Sequence, residues 1–298
     1  HAPSYFLASE FANTPPCDAL FHVIPVPLAE TVSYQGGTGQ GPAAIIEASS
    51  QLEVWDGYGI PGEAGIATWP EIDCQGGREI VHARIRETVA QSLSYQRTEG
   101  RPIPVVLGGE HSLTLPVIEA CAASYGADQI GIIQFDAHAD LRDSLDGNPW
   151  SHACVMRRIV ESLGIRLFQL GTRAVSPEES AYRREQRIPH IDGRDLWSNQ
   201  STRLTLPPDF PPLVYISFDV DGLDSSIMPT TGTPVPGGIG WYQALSLLES
   251  IGRQRRIIGC DMVELAPLDG LVAPTYLAAE LVHRMMGVAM RSAPGGNP

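Results

Sequence analysis

The stretch FDAHADLRD, residues 135–143, sets Asp136, His138 and Asp140 at alternate positions directly after the apolar run Ile130, Gly131, Ile132, Ile133. Side chains alternate faces in an extended chain, so the three would converge if the strand conformation persisted that far. The same grammar recurs in YISFDVDGLD, where the run from Val214 to Phe218 leads into Asp219 and Asp221. His111, in VVLGGEHSLT, follows a third apolar run, and Gly108 and Gly109 permit a tight turn before it. In open α/β sheets the functional crevice lies at the carboxyl ends of the strands, where all three stretches would meet.

Four carboxylates crowded together repel one another, and their pKa values rise unless cations compensate. Two divalent ions would supply that compensation. A set of His111, Asp136, His138, Asp140, Asp219 and Asp221, with no thiolate, suits a harder ion such as Mn²⁺ better than a structural zinc site, with Zn²⁺ as a competitor. One DxHxD alone is as compatible with a capped turn as with a metal site. Two carboxylate-bearing strand ends plus GGEHS are a stronger signal.

The elements that must position these residues are legible as a repeating unit. Apolar strands are expected at 19–26, 103–107, 129–135, 165–170, 212–218 and 256–263, and their continuous apolar character fits a buried parallel sheet. Ile80, Val81, Ile85, Val89 and Leu93 recur at helical spacing, as do Trp241, Leu245, Leu248 and Ile251. Such helices would cover the sheet faces. No linker divides the 298 residues, so one α/β domain is expected.

Composition narrows the partners. A formal charge of -14 argues against a nucleic-acid partner and suits a cationic substrate or metal ions, although it also serves solubility. The five cysteines are scattered without CxxC spacing and read as reduced thiols. HAPSYFLASEF carries no basic segment leading into an apolar core, and no apolar stretch is long enough to span a bilayer, so the cytoplasm is the expected compartment. His22, His82, His190 and His283 lie apart from any acidic cluster and read as packing or surface residues. The glycine-rich GGTGQG does not match a dinucleotide fingerprint, and no GxxxxGK[ST] is present.

GGEHSLT, DAHADLRD, SHACVMRR, SFDVDGLD, TTGTPVPGG and DMVEL, preceded by SYQGGTGQGPAAI, resemble in order the successive blocks of the ureohydrolases, the arginase and agmatinase family. The resemblance runs from about Thr31 to Glu264. It implies a single ureohydrolase domain over residues 1–298, with a three-layer α/β/α fold around a central, mostly parallel sheet of about eight strands, and a trimer or hexamer. It also implies a two-manganese centre: His111 and Asp140 on one metal, His138 and Asp221 on the other, Asp136 and Asp219 bridging. Water activated between the metals would attack the guanidinium carbon, with Asp140 orienting it and relaying its proton.

By the same resemblance His152 matches the proton-shuttle histidine, and Glu264 the carboxylate that binds the guanidinium. Ser151 additionally reads as a helix N-cap. The loop LRDSLDGNPWSH and the block SYQGGTGQGP look more like the agmatinase branch, which implies cleavage of agmatine to putrescine and urea in polyamine biosynthesis. Gly39 and Gln40 stand where many agmatinase-like chains have Arg-Phe, which leaves guanidinobutyrate and arginine-type substrates open. Tyr34, Asn148 and Trp150 are the candidates for the tail pocket. Arg142 is expected to pair with Asp143 or Asp146, its alternative being to clamp a substrate carboxylate. A non-catalytic metal-binding family member is the reading from another class, and a deacetylase-like hydrolase leaves Glu264 without a purpose.

Overall fold

The computed structural model describes residues 5–97 and 100–292. Eight strands form one sheet: β1 (Phe21–Val26), β2 (Ile66–Thr68), β3 (Ile103–Gly108), β4 (Ile130–Phe135), β5 (Arg166–Leu170), β6 (His190–Ile191), β7 (Leu213–Asp219) and β8 (Arg256–Val263). Their spatial order is β2-β1-β3-β8-β7-β4-β5-β6, and every pairing is parallel. The six strands expected from the sequence are present to within two residues at each end. The two unexpected ones, β2 and β6, are edge strands of three and two residues, too short to show a periodicity.

The helices are α1 (Gly41–Ser49), α2 (Arg78–Ser94), α3 (Thr114–Tyr125), α4 (Val155–Leu163), α5 (Pro177–Glu185), α6 (Gly193–Ser198), α7 (Trp241–Gly252) and α8 (Val272–Arg291). They lie on both faces of the sheet because every central strand is apolar on both sides. Val105, Ile133, Phe135, Val214, Ile216 and Phe218 pack in one core with residues of α1, α7 and α8. Val106, Ile130, Ile132, Tyr215 and Ile258 pack in the other with residues of α2, α3 and α4. Among the described residues no helix is long and apolar enough to cross a membrane. All five cysteines are free.

Strands β3, β8, β7 and β4 are neighbours at the centre of the sheet, and the chain leaving their carboxyl ends carries His111, Glu264, the pair Asp219 and Asp221, and the stretch from Asp136 to Asp140, respectively. The parallel register sets Phe135 beside Phe218, and their rings stack with centroids 4.8 Å apart. The next residues, Asp136 and Asp219, are therefore delivered side by side. Such an aromatic pair adds about 0.5–1.5 kcal/mol beyond its buried area. Gly109 turns the chain out of β3 towards His111. A Cβ there would stand 1.9 Å from the Leu28 carbonyl oxygen, so only glycine fits without moving backbone.

Gly109→Ala should therefore lower stability by about 1–3 kcal/mol, the usual cost of forcing a methyl into filled space. Chemical denaturation measures it, and an unchanged midpoint would show that the Leu28 loop yields freely.

Candidate metal centre and substrate cavity

Two three-residue clusters form at the strand ends. His111, Asp136 and Asp140 make one, Asp136, His138 and Asp221 the other, and in each the ligand atoms lie within 4.8 Å of one another. Asp136 belongs to both. His111 Nδ1 is 3.3 Å from Asp136 Oδ2, 3.0 Å from Asp140 Oδ2 and 3.6 Å from Asp219 Oδ2. His138 Nδ1 is 3.0 Å from Asp221 Oδ2 and 3.7 Å from Asp136 Oδ1. Asp219 thus adjoins the first cluster without joining either tight group.

Strand alternation does not bring these residues together, because β4 ends at Phe135. The backbone instead turns through side-chain bonds: Asp136 Oδ1 accepts from the His138 N–H at 2.6 Å, and Asp221 Oδ1 accepts from the Ala137 N–H at 3.0 Å. Asp140 has φ 53° and Glu264 φ 65°, a left-handed conformation that costs a non-glycine residue energy and here aims each carboxylate inward. The Asp140 carbonyl accepts from the N–H groups of Met156 and Arg157 at the start of α4, which holds that turn.

The donor set fits divalent cations. Asp136, Asp140, Asp219 and Asp221 are at most 4% exposed. Burial, with neighbouring aspartates, raises the carboxyl of Asp219 well above its ordinary value and that of Asp221 above it as well, and pushes Asp140 to about 7. Burial raises Asp136 too, but His111 and His138 outweigh it and hold this carboxyl below the usual range. Burial would lower both imidazoles, yet the surrounding carboxylates hold His111 well above its usual value and carry His138 to about 11. A cation bound among these carboxylates would take the place of the protons they otherwise hold on the two rings.

His111 carries a further sign of a cation. Its buried Nδ1 approaches two carboxylate oxygens without making a hydrogen bond to either, as a nitrogen pointed between oxygens does when they share an ion. Nε2 contacts Ser217 Oγ at 2.8 Å, and that hydroxyl donates its single proton to Asp261 Oδ1 at 2.9 Å. Ser217 must therefore accept from Nε2–H, which leaves the Nδ1 lone pair of neutral His111 facing the cluster. Ser217, Asp261 and also Gln134, which donates to Asp136 Oδ2 at 2.6 Å, are absent from the sequence-derived set. Their signal was present: each is a polar residue inside an otherwise apolar strand.

The clusters open into a cavity of about 430 Å³ whose walls include His138, Asp140, His152, Asp219, Asp221 and Glu264. Glu264 is 8% exposed, and burial pushes its carboxyl to about 8. Its Oε1 accepts from the His111 N–H at 2.7 Å. His152 sits on a short helical turn before α4, and Ser151 precedes it in the extended conformation of a cap but makes no capping bond from its side chain. Burial lowers the His152 pKa.

Three sequence candidates stand away from the cavity. Tyr34 is 93% exposed, at φ 66°. Asn148 spends its side chain within its own turn, Oδ1 accepting from the Trp150 N–H at 3.0 Å. Trp150 lies under the Arg78 guanidinium of α2, 4.2 Å from its ring centroid. Ser33, Leu145 and Asp146 line the cavity instead. Arg142 also lines it, and does not pair as expected: Asp143 is taken by Arg157 and Arg158, and the partner of Arg142 is Glu179 at 4.0 Å. Glu179 is itself committed to the capping box of α5 with Ser176 and to the Leu141 N–H.

The chain matches the Arginase family over residues 19–287. It belongs to that family. It is 35% identical over 294 residues to the N(1)-aminopropylagmatine ureohydrolase of Synechocystis, across 96% of this chain and 94% of that protein. It is 31% identical over 280 residues to the agmatinase of Pyrococcus horikoshii, across 92% and 93%. The agmatine ureohydrolase of Thermoplasma volcanium superposes with a TM-score of 0.80 at 28% identity, across 96% of this chain and 94% of that one. This arginase-family chain is accordingly a hydrolase with the family's α/β fold.

Because Asp136 serves both clusters, Asp136→Ala should lower divalent-ion uptake at both, whereas His138→Ala should spare the cluster of His111; metal analysis after Mn²⁺ loading and desalting distinguishes them, and equal losses would contradict the shared role. A pH dependence follows from the raised carboxyls. Folded values of about 7 for Asp140 and about 8 for Glu264 exceed the ordinary carboxylate range. The stability they contribute as protonated groups is complete below the unfolded value of roughly 4 and is lost as pH climbs through the folded values. A cation at Asp140 needs that carboxyl ionised, so the rise in melting temperature on adding Mn²⁺ should be larger at about pH 8.5 than at about pH 5.5. An equal rise at both would contradict proton release on binding.

Proposed function

We propose that this chain is a ureohydrolase holding two Mn²⁺ ions, which cleaves agmatine, or agmatine carrying an N1-aminopropyl extension, to urea and the corresponding amine. His111, Asp136, Asp140, His138 and Asp221, with Asp219 beside them, would hold the ions. When bound, the ions would supply a water nucleophile at neutral pH and Lewis-acid charge. Water adds to the guanidinium carbon, the bond from that carbon to the tail nitrogen breaks, and urea and a primary amine leave.

The observation that carries the reading is the charge left over in the cavity. Of its carboxylates, Glu264, Glu179 and Asp146 are not needed for metal, and one guanidinium, Arg142, opposes them. With Glu264 ionised by an arriving guanidinium, that excess suits a dication with a guanidinium at one end and an ammonium at the other. Glu264 Oε1 is held by the His111 N–H, leaving Oε2 for the planar guanidinium, a charge-assisted contact of the strong kind. Asp140 on the cavity wall can take up the proton the attacking water gives up. His152 on the cavity wall can deliver a proton to the departing amine.

The extended substrate is favoured by two findings: the cavity of about 430 Å³ leaves room for a longer tail, and the Synechocystis relative bears the corresponding name. Carboxylated substrates have Arg142 in their favour, since it faces the cavity with only a distant, already committed partner. Against them stands the surplus of acid around it.

Glu264→Gln should keep the metal and lose about 2–5 kcal/mol of transition-state binding, roughly thirtyfold or more in kcat/KM; an unchanged kcat/KM would remove Glu264 from the reaction. In a urea-release panel with Mn²⁺, agmatine or its aminopropyl derivative should exceed arginine and guanidinobutyrate by about a hundredfold in kcat/KM, the penalty for an unpaired buried carboxylate. Arginine or guanidinobutyrate as best substrate, with the preference abolished by Arg142→Ala, would overturn the substrate assignment. No urea from any substrate with both ions bound would point to a non-catalytic family member.

A further inference from the structure

Glu110, beside the first metal-cluster histidine, is 1% exposed and has no place in the clusters. Its carboxylate is nonetheless fully occupied. Oε2 accepts from the backbone N–H groups of Glu30 and Thr31, and Oε1 accepts from the hydroxyls of Thr31, at 2.8 Å, and Ser112. The Thr31 hydroxyl has one proton and two lone pairs, and the proton is spent on Glu110.

Two nitrogens of His152 meet those lone pairs. Its backbone N–H donates to Thr31 Oγ1 at 3.0 Å, and its Nδ1 lies 3.2 Å from the same oxygen. With the hydroxyl proton pointing away, that second contact is attractive only if Nδ1 carries a hydrogen. The neighbouring Ser151 hydroxyl, 3.3 Å from Nδ1, can accept from the same N–H. On the far side of the ring Nε2 faces Ser33 Oγ at 3.1 Å, and both His152 and Ser33 line the cavity.

We propose that Glu110, acting through Thr31, is a positioning residue that holds neutral His152 as its Nδ1–H tautomer, so that Nε2 is the nitrogen that exchanges protons with the cavity. The inference rests on the reading of His152 as the group that protonates the departing amine. It adds the selection of nitrogen and the residues responsible. A ring with the opposite tautomer would set Nε2–H towards the cavity with no lone pair to take up a proton, and would turn the Nδ1 lone pair on the lone pair of Thr31. Ser33 completes the path as the hydroxyl next to the exchanging nitrogen.

The test reads the tautomer directly. Ring ¹⁵N–¹H correlations of the full chain, metal-free and with diamagnetic Zn²⁺, distinguish the two forms, and the His152 signals are assigned as those missing in His152→Asn. Wild type should show one Nδ1–H tautomer. Thr31→Val, which removes the hydroxyl at a distance from the metal ligands, should give a mixture and lower kcat roughly tenfold to a hundredfold, within what a positioned proton-transfer group contributes, with KM nearly unchanged. Glu110→Gln should act in the same direction. Thr31→Ser, which restores the hydroxyl, should recover the single tautomer and most of the kcat lost in Thr31→Val. An Nε2–H tautomer in wild type, or a Thr31→Val chain with one Nδ1–H tautomer and wild-type kcat, overturns the relay. If instead the tautomers behave as stated but His152→Asn turns over at the wild-type rate, the assignment of His152 to proton transfer is what fails.

Discussion

Four buried aspartates, confined to the ends of neighbouring strands, set the terms for the rest of this structure. Each is nearly inaccessible to water, and carboxylates at such range raise one another's pKa values. Nothing in the isolated segments would hold them there. The parallel sheet does so through register: Phe135 stacks on Phe218 just before Asp136 and Asp219, and two apolar cores clamp the strands from both faces. Left-handed turns at Asp140 and Glu264 complete the inward aim. The energy for these unfavourable local choices comes from the burial of the surrounding scaffold, the arrangement expected where strain serves a site.

Hydroxyls orient both kinds of histidine by one device. Asp261, Ser217 and His111 form one chain, and Glu110, Thr31 and His152 another. In each, a buried carboxylate takes the hydroxyl proton, and the hydroxyl must then accept from the imidazole. The remaining ring nitrogen presents its lone pair inward, towards the carboxylate cluster in the first case and towards the cavity in the second. The two chains differ only in which nitrogen is turned in, Nδ1 for His111 and Nε2 for His152.

The outer cavity is built on a different principle, that of helix capping. The carboxylate of Glu179 closes the capping box of α5 and binds the Leu141 N–H, tying the helix start to the loop that leaves Asp140. Arg142 and Asp146 on that loop are consequently held at the cavity wall while Asp143 is drawn outward by Arg157 and Arg158.

The six long strands, the parallel class of the sheet and the acidic stretches were readable in the sequence, because buried strands are continuous apolar runs and ligands cluster where those runs stop. His111, Asp136, His138, Asp140, Asp219 and Asp221 could be named as candidate ligands from spacing alone, and the resemblance of the motif blocks added His152 and Glu264. Other features were decided only by the tertiary structure. The edge strands β2 and β6 are too short to leave a pattern, and exist because longer neighbours template them. Asp136, His138 and Asp140 converge by turns and not by strand alternation, since the bonds that turn the chain come from Asp221 and from Asp136 itself. Tyr34, Asn148 and Trp150 sit near the site in sequence but are turned to solvent, to their own turn and to α2, and the true partner of Arg142 lies on α5. Spacing along the chain reports which groups can reach a common point; direction of a side chain and orientation of a proton depend on donors and acceptors brought from distant segments, and only folding assembles those.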